Sequence, residues 1–99
     1  MNGFLLGTWL ETALAADMQC ARLVRPGAFA LAHNVASQDE VKCVIEVLRL
    51  HGGRVLREAD APKHGGFRGY IADPDDHAWE IAWNPAWTID DEGHVTFGL

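Results

Sequence analysis

The run from Ser37 to Gly53 dictates one amphipathic helix, and the rest of the chain has to pack against it. Ser37-Gln38-Asp39-Glu40 is a capping box: the Ser37 hydroxyl can accept from the Glu40 amide while the Glu40 carboxylate reaches back. Val41, Val44, Ile45 and Leu48 then fall at i, i+3, i+4 and i+7, which sets them on one apolar stripe. Asp39 and Glu40 stand at the positive end of the helix dipole, Arg49 and His51 at the negative end. Gly52-Gly53 supplies the left-handed stop.

The flanking segments read as strands. Residues 28–35 form a mostly apolar run that is expected to be covered on both faces. After the helix come short strand patterns at 54–58, 67–72 and 78–83, with a loop at 60–66 and a turn at Asp73-Pro74-Asp75-Asp76. Asn84-Pro85 ends the last of them, because proline cannot donate to a ladder. Before the module, residues 2–10 read as a strand, 11–18 as a helical turn too short to stand alone, and Arg25-Pro26-Gly27 as a turn. In the tail, Asp90-Asp91-Glu92-Gly93 is a second turn, leading to a short strand at 94–97. One helix on an antiparallel-rich sheet makes the fold class α+β.

Ninety-nine residues suit a single domain of modest core. The net charge is −6 and the basic residues are scattered, so the footprint of a nucleic-acid binder is missing. The apolar patch at residues 4–10 is far shorter than the ~20 residues of a membrane span, and it lacks the basic flank of a signal peptide. Cys20 and Cys43 have no CxxC spacing and read as reduced thiols, hence a cytoplasmic location. The glycine pairs lack the spacing of a phosphate loop.

The run Gly65-Gly66-Phe67-Arg68-Gly69-Tyr70-Ile71-Ala72-Asp73-Pro74-Asp75-Asp76-His77-Ala78-Trp79-Glu80 resembles the closing hairpin of a vicinal oxygen chelate module. Ala30-Leu31-Ala32-His33-Asn34-Val35, the capped helix and Gly52-Gly53 precede it in the order of that family, the glyoxalase/bleomycin resistance protein/dioxygenase superfamily. The resemblance implies a βαβββ module curling an open sheet around a cup, with two modules making one site. Residues 27–84 resemble one complete module, residues 1–18 only the last strand and turn of another, and 85–99 a tail. The resemblance therefore implies a homodimer that completes the sheet. Asp76 stands where the family has glycine, at a position that needs positive φ, so a strained or re-typed turn is expected.

Alternation along the strands sends Arg68, Tyr70 and Ala72 into the cup, together with Ala78, Glu80 and Ala82 and with Ala30, Ala32 and Asn34. The ligand-binding set is then Asn34, Arg68, Tyr70 and Glu80. Family metalloenzymes hold a divalent metal with His or Gln on the first strand and Glu on the last. The Glu carries over onto Glu80, but the first-strand position falls on Ala30, which cannot ligate. His33, three residues on, belongs to the opposite face. One carboxylate does not make a metal site, so the expectation is no cofactor, with a divalent metal ion as the alternative.

Glu80 keeps three readings: a metal ligand joined by groups from a second chain, a cup-facing acid that binds ligand or moves a proton, or a carboxylate paired with Arg68. His33, His51, His64, His77 and His94 are scattered and none pairs at a ligand spacing. The leading expectation is a non-catalytic binder of a small organic molecule held in the cup of a dimer. The alternatives are a metal-dependent lyase, isomerase or dioxygenase with Glu80 as ligand and catalytic group, and an interaction module without ligand.

Overall fold

The computed structural model describes residues 6–21 and 29–97. Its elements run α1 (Glu11–Met18), β1 (Ala30–Asn34), α2 (Gln38–Leu50), β2 (Arg54–Asp60), β3 (Phe67–Ala72), β4 (Ala78–Trp83), β5 (Trp87–Ile89) and β6 (Val95–Phe97).

Helix α2 starts and stops where its sequence dictates. Ser37 Oγ accepts from the Glu40 amide at 3.1 Å, and Glu40 Oε2 accepts from the amide of Ala36 at 3.0 Å, one residue further back than the usual box. At the other end Gly52 takes φ +102°. The Gly53 and Gly52 amides then donate to the carbonyls of Leu48 and Arg49 at 2.9 and 3.3 Å, a Schellman stop. Val41 and Ile45 are buried, Val44 is half-buried and Leu48 is exposed, so the stripe narrows towards the helix end.

The four-stranded sheet has the order β1-β4-β3-β2, with β1 parallel to β4 and the other neighbours antiparallel. Phe67, Ile71 and Ile81 on one face pack against Val35, Val41 and Ile45 to form the main core. Trp79 and Trp83 close its margin. The βαβββ order, the strands over 67–72 and 78–83 and both of their faces agree with the sequence pattern.

The turn between β3 and β4 keeps its left-handed residue, with Asp76 at φ 69°. Asp73 compensates. Its Oδ1 accepts from the amides of Asp75 and His77, each at 2.9 Å, and its Oδ2 accepts from Trp79 Nε1 at 3.0 Å. The tail repeats the device: Asp90 Oδ1 accepts from the amides of Glu92 and His94, with Gly93 in the left-handed position. This closes a separate hairpin, β5–β6, where a single strand is the expectation.

Three expectations need correction. Residues 6–10 of the N-terminal strand lie in no ladder and are exposed, and residues 2–5 fall outside the described residues. The helical turn at 11–18 is a full two-turn helix. Its Leu10 cap position has no side-chain hydrogen bond, so packing is what holds it. Strand β1 is the outer strand beside β4, and its central residues are exposed where burial on both faces is the expectation. The Arg25-Pro26-Gly27 turn lies outside the described residues.

Candidate functional site

The concave face of the sheet is part covered, part open. Helix α1 lies across it, burying Leu14 and Met18 against Tyr70 and Ala78, with Ala30, Leu56 and Cys20 at the edge. Two register shifts in β2, between Val55 and Arg57 and between Arg57 and Asp60, disturb its alternation. Val55 faces the α2 core and Leu56 the concave side, yet Arg57 also reaches the concave side. Re-aiming a side chain is what a bulge does.

Asp17 is the hub beneath α1. Its carboxylate accepts from Arg68 at 2.5 and 3.2 Å and from the Tyr70 hydroxyl at 2.7 Å. Its backbone carbonyl accepts from Arg57 at 2.8 Å. Arg68, only 7% exposed, also donates to the Asp60 carboxylate at 2.6 Å. Arg68 is therefore paired with Asp17 and Asp60, and the pairing with Glu80 left open by the sequence is not made.

The Tyr70 hydroxyl also lies 3.2 Å from Glu80 Oε2. A phenol has one proton to give. When Tyr70 donates to Asp17, a hydrogen bond to Glu80 needs Glu80 to be the donor, hence protonated. Burial, the main influence, does push the Glu80 carboxyl up, and the Asp17 charge adds to it against the Tyr70 and Arg68 contacts. Tyr70 itself is driven upward by burial and the two carboxylates, so it stays a neutral donor.

Beyond α1 the concave face opens into a groove. Tyr70, Glu80, Asn34, Ala30 and Ala32 line it, with apolar side chains such as Leu31 at its rim. Of the four expected ligand residues, Asn34, Tyr70 and Glu80 thus share the groove, whereas Arg68 is beneath α1. Asp17 and Arg57, which sequence reasoning missed, complete the polar cluster. A buried strand arginine demands a counter-ion, but nothing in the sequence says which acid.

Of the two positions at which the family's metalloenzymes place strand ligands for a divalent metal, only Glu80 offers a donor. Ala32 is level with Glu80 on the neighbouring strand, and His33 is level with Ile81, whose side chain belongs to the α2 core. Among the described residues no three His, Cys, Asp or Glu side chains converge. The described residues of one chain thus do not assemble the donor set of such a metal.

The opposed shifts define a pH window. Glu80 is raised above its ordinary 4.5, so the stability tied to it is fully present below that value and lost as pH rises through the folded one. Burial pushes Asp17 up too, but the Arg68 and Tyr70 hydrogen bonds and the guanidinium charges outweigh it. Asp17 ends below its ordinary 3.8, and its contribution is lost as pH falls through that lower folded value. Glu80→Gln is expected to flatten the decline above about pH 4.5 and leave the acid limb unchanged, as read from melting temperatures between about pH 3 and 8. An alkaline limb identical to wild type would refute this placement of Glu80.

The βαβββ order of β1, α2 and β2 to β4 is the one that the resemblance to glyoxalase-type proteins implies. No family model matches the chain, and no curated protein does. Solved structures do. A glyoxalase-related enzyme from Fulvimarina pelagi is 56% identical over 100% of this chain and 71% of its own, with a TM-score of 0.71. A glyoxalase/bleomycin resistance protein/dioxygenase family enzyme from Burkholderia phytofirmans PsJN is 15% identical over 74% of this chain and 55% of its own, at TM-score 0.56. A hypothetical protein from S. aureus is 20% identical over 62% of this chain and 53% of its own, also at 0.56; these two share the fold. The chain belongs to the glyoxalase/bleomycin resistance protein/dioxygenase superfamily. No helix among its described residues is long and apolar enough to cross a membrane.

Proposed function

We propose that the protein binds a small organic molecule in the groove of its cup, as a homodimer and without catalysing a reaction on it. The observation that carries this reading is the Glu80 carboxyl. It is half-buried on the groove wall among Ala30, Ala32 and Asn34, hydrogen-bonded to Tyr70, with no second metal donor level with it. Concave sites with apolar walls and a few convergent polar groups suit small ligands. A second copy is supported by β1, an outer strand with exposed Leu31 and Phe29 next to it, since such edges are normally covered.

The test is a thermal-shift screen of small aromatic and aliphatic compounds on the wild type and on Glu80→Gln, with sedimentation to fix the oligomeric state. Saturable stabilisation that weakens about tenfold in the variant, some 1.4 kcal/mol, is the expected result. No stabilisation by any compound would leave the interaction-module reading in its place. The name of the 56% identical relative, a glyoxalase-related enzyme, favours one competitor: a metal-dependent lyase, isomerase or dioxygenase using Glu80 and donors from a second copy. Elemental analysis of protein purified without chelator decides it. A stoichiometric metal lost on Glu80→Gln overturns the non-catalytic reading.

A further inference from the structure

The cluster beneath α1 is richer than an eight-residue helix needs. A buried ion pair is weak evidence of a stabilising device, because apolar residues of like size generally serve as well. Here the donors all belong to the sheet. Arg68 and Tyr70 stand on the concave face of β3, and the bulges of β2 bring Arg57 to the same point. Of the two acidic acceptors, Asp60 belongs to β2 and Asp17 alone comes from outside the sheet, across 51 positions of sequence from Arg68. A planar guanidinium gripping two carboxylate oxygens, with a phenol on one of them, is how proteins read a carboxylate. The grip of α1 on the sheet is otherwise apolar and small, resting on Leu14, Ala15 and Met18. Beside Asp17, past the Tyr70 hydroxyl, the open groove begins.

We propose that Arg57, Arg68 and Tyr70 form a carboxylate-recognition site of the cup, filled in this chain by its own Asp17, which a small organic monocarboxylate replaces when α1 withdraws. This rests on the small-molecule reading and gives it a ligand class. Exchange of one carboxylate for another keeps the cluster's charge: the two guanidinium groups still face Asp60 and one further anion. Glu80 stands on the far side of the Tyr70 hydroxyl, 3.2 Å from it, and has no contact with either guanidinium group. A neutral or cationic ligand in the same place would leave Arg68 buried and short of its partner.

Acetate is the end of an aspartate side chain and is the probe of choice. Asp17→Ala is expected to gain melting temperature saturably with sodium acetate, and not with acetamide or with sodium chloride at equal ionic strength. Adding Arg68→Met should abolish the gain. Leu14→Ala with Met18→Ala keeps Asp17 but loosens α1, and should bind acetate about tenfold more tightly than wild type. In the wild type, acetate should speed amide exchange of residues 11–18 beyond the chloride control. An acetate response no larger than chloride in Asp17→Ala, or one that survives Arg68→Met, overturns the site. If Asp17→Ala does not fold, the Leu14/Met18 variant decides alone by the same comparison with chloride. A neutral ligand that binds wild type through Glu80 while acetate fails would sink the carboxylate site and spare the small-molecule reading. Acetate binding lost on Arg68→Met, with no other compound found for the groove, would support the site and confine the ligand class to carboxylates.

Discussion

Arg68→Met is expected to lower the unfolding free energy by about 3 kcal/mol, and a companion Asp17→Leu to return most of that loss. Arg68 is nearly buried, between the carboxylates of Asp17 and Asp60. Its removal leaves the Asp17 carboxylate with Tyr70 and with Arg57, whose nearest guanidinium nitrogen is 3.9 Å away. An uncompensated charge in such a place costs roughly 3–5 kcal/mol. The lower end applies because α1 can lift and let water reach Asp17, which caps the loss at what its docking contributes. With leucine opposite methionine neither charge is left over. Urea denaturation of wild type, both single variants and the pair gives the coupling. A single variant within about 0.5 kcal/mol of wild type, or a pair no better than the worse single, would show that the ion pair is not what holds α1 down.

How much of this was readable without the structure divides by interaction range. Helix α2 was legible because its cap, stripe and stop are all local. Strands β3 and β4 were legible because strict alternation leaves Ile71 and Ile81 only one place to go, against the helix. Alternation also put Tyr70, Glu80 and Asn34 on the concave side, where they line one groove. What failed was everything settled by distant partners. Asp17 meets Arg68 across 51 positions, and no pattern within α1 marks it. The helix itself exceeds its local signal, because Leu14 and Met18 gain their stability from Tyr70 and Ala78. Arg57 was not legible either, since a bulge cancels the alternation on which its face would be judged. The exposure of β1 escaped for a related reason: an apolar run tells that cover is wanted, not that the rest of the fold supplies it.

Gly69→Val is expected to cost more than about 3 kcal/mol, and Gly69→Ala about 2, through crowding and not through backbone conformation. Gly69 sits in β3 between Arg68 and Tyr70, opposite Ile81. A Cβ there would stand 2.6 Å from Ile45 Cδ1, 3.0 Å from the Arg57 carbonyl oxygen and 3.1 Å from Ala59 Cα. The isoleucine end can turn aside; the β2 backbone cannot yield without carrying Arg57 away from the Asp17 carbonyl. The substitution thus strikes the core and the polar cluster together. Trimming Ile45 to valine separates the two contributions. Ile45→Val alone should cost about 1 kcal/mol, but in the Gly69→Ala background it should recover only part of the loss, since two of the three contacts are with β2. Full recovery in urea titrations would mean that the helix side chain alone sets the limit. Partial recovery, with Asp17→Leu then adding less destabilisation than it does in wild type, is the outcome that ties the bulged β2 backbone to the cluster beneath α1.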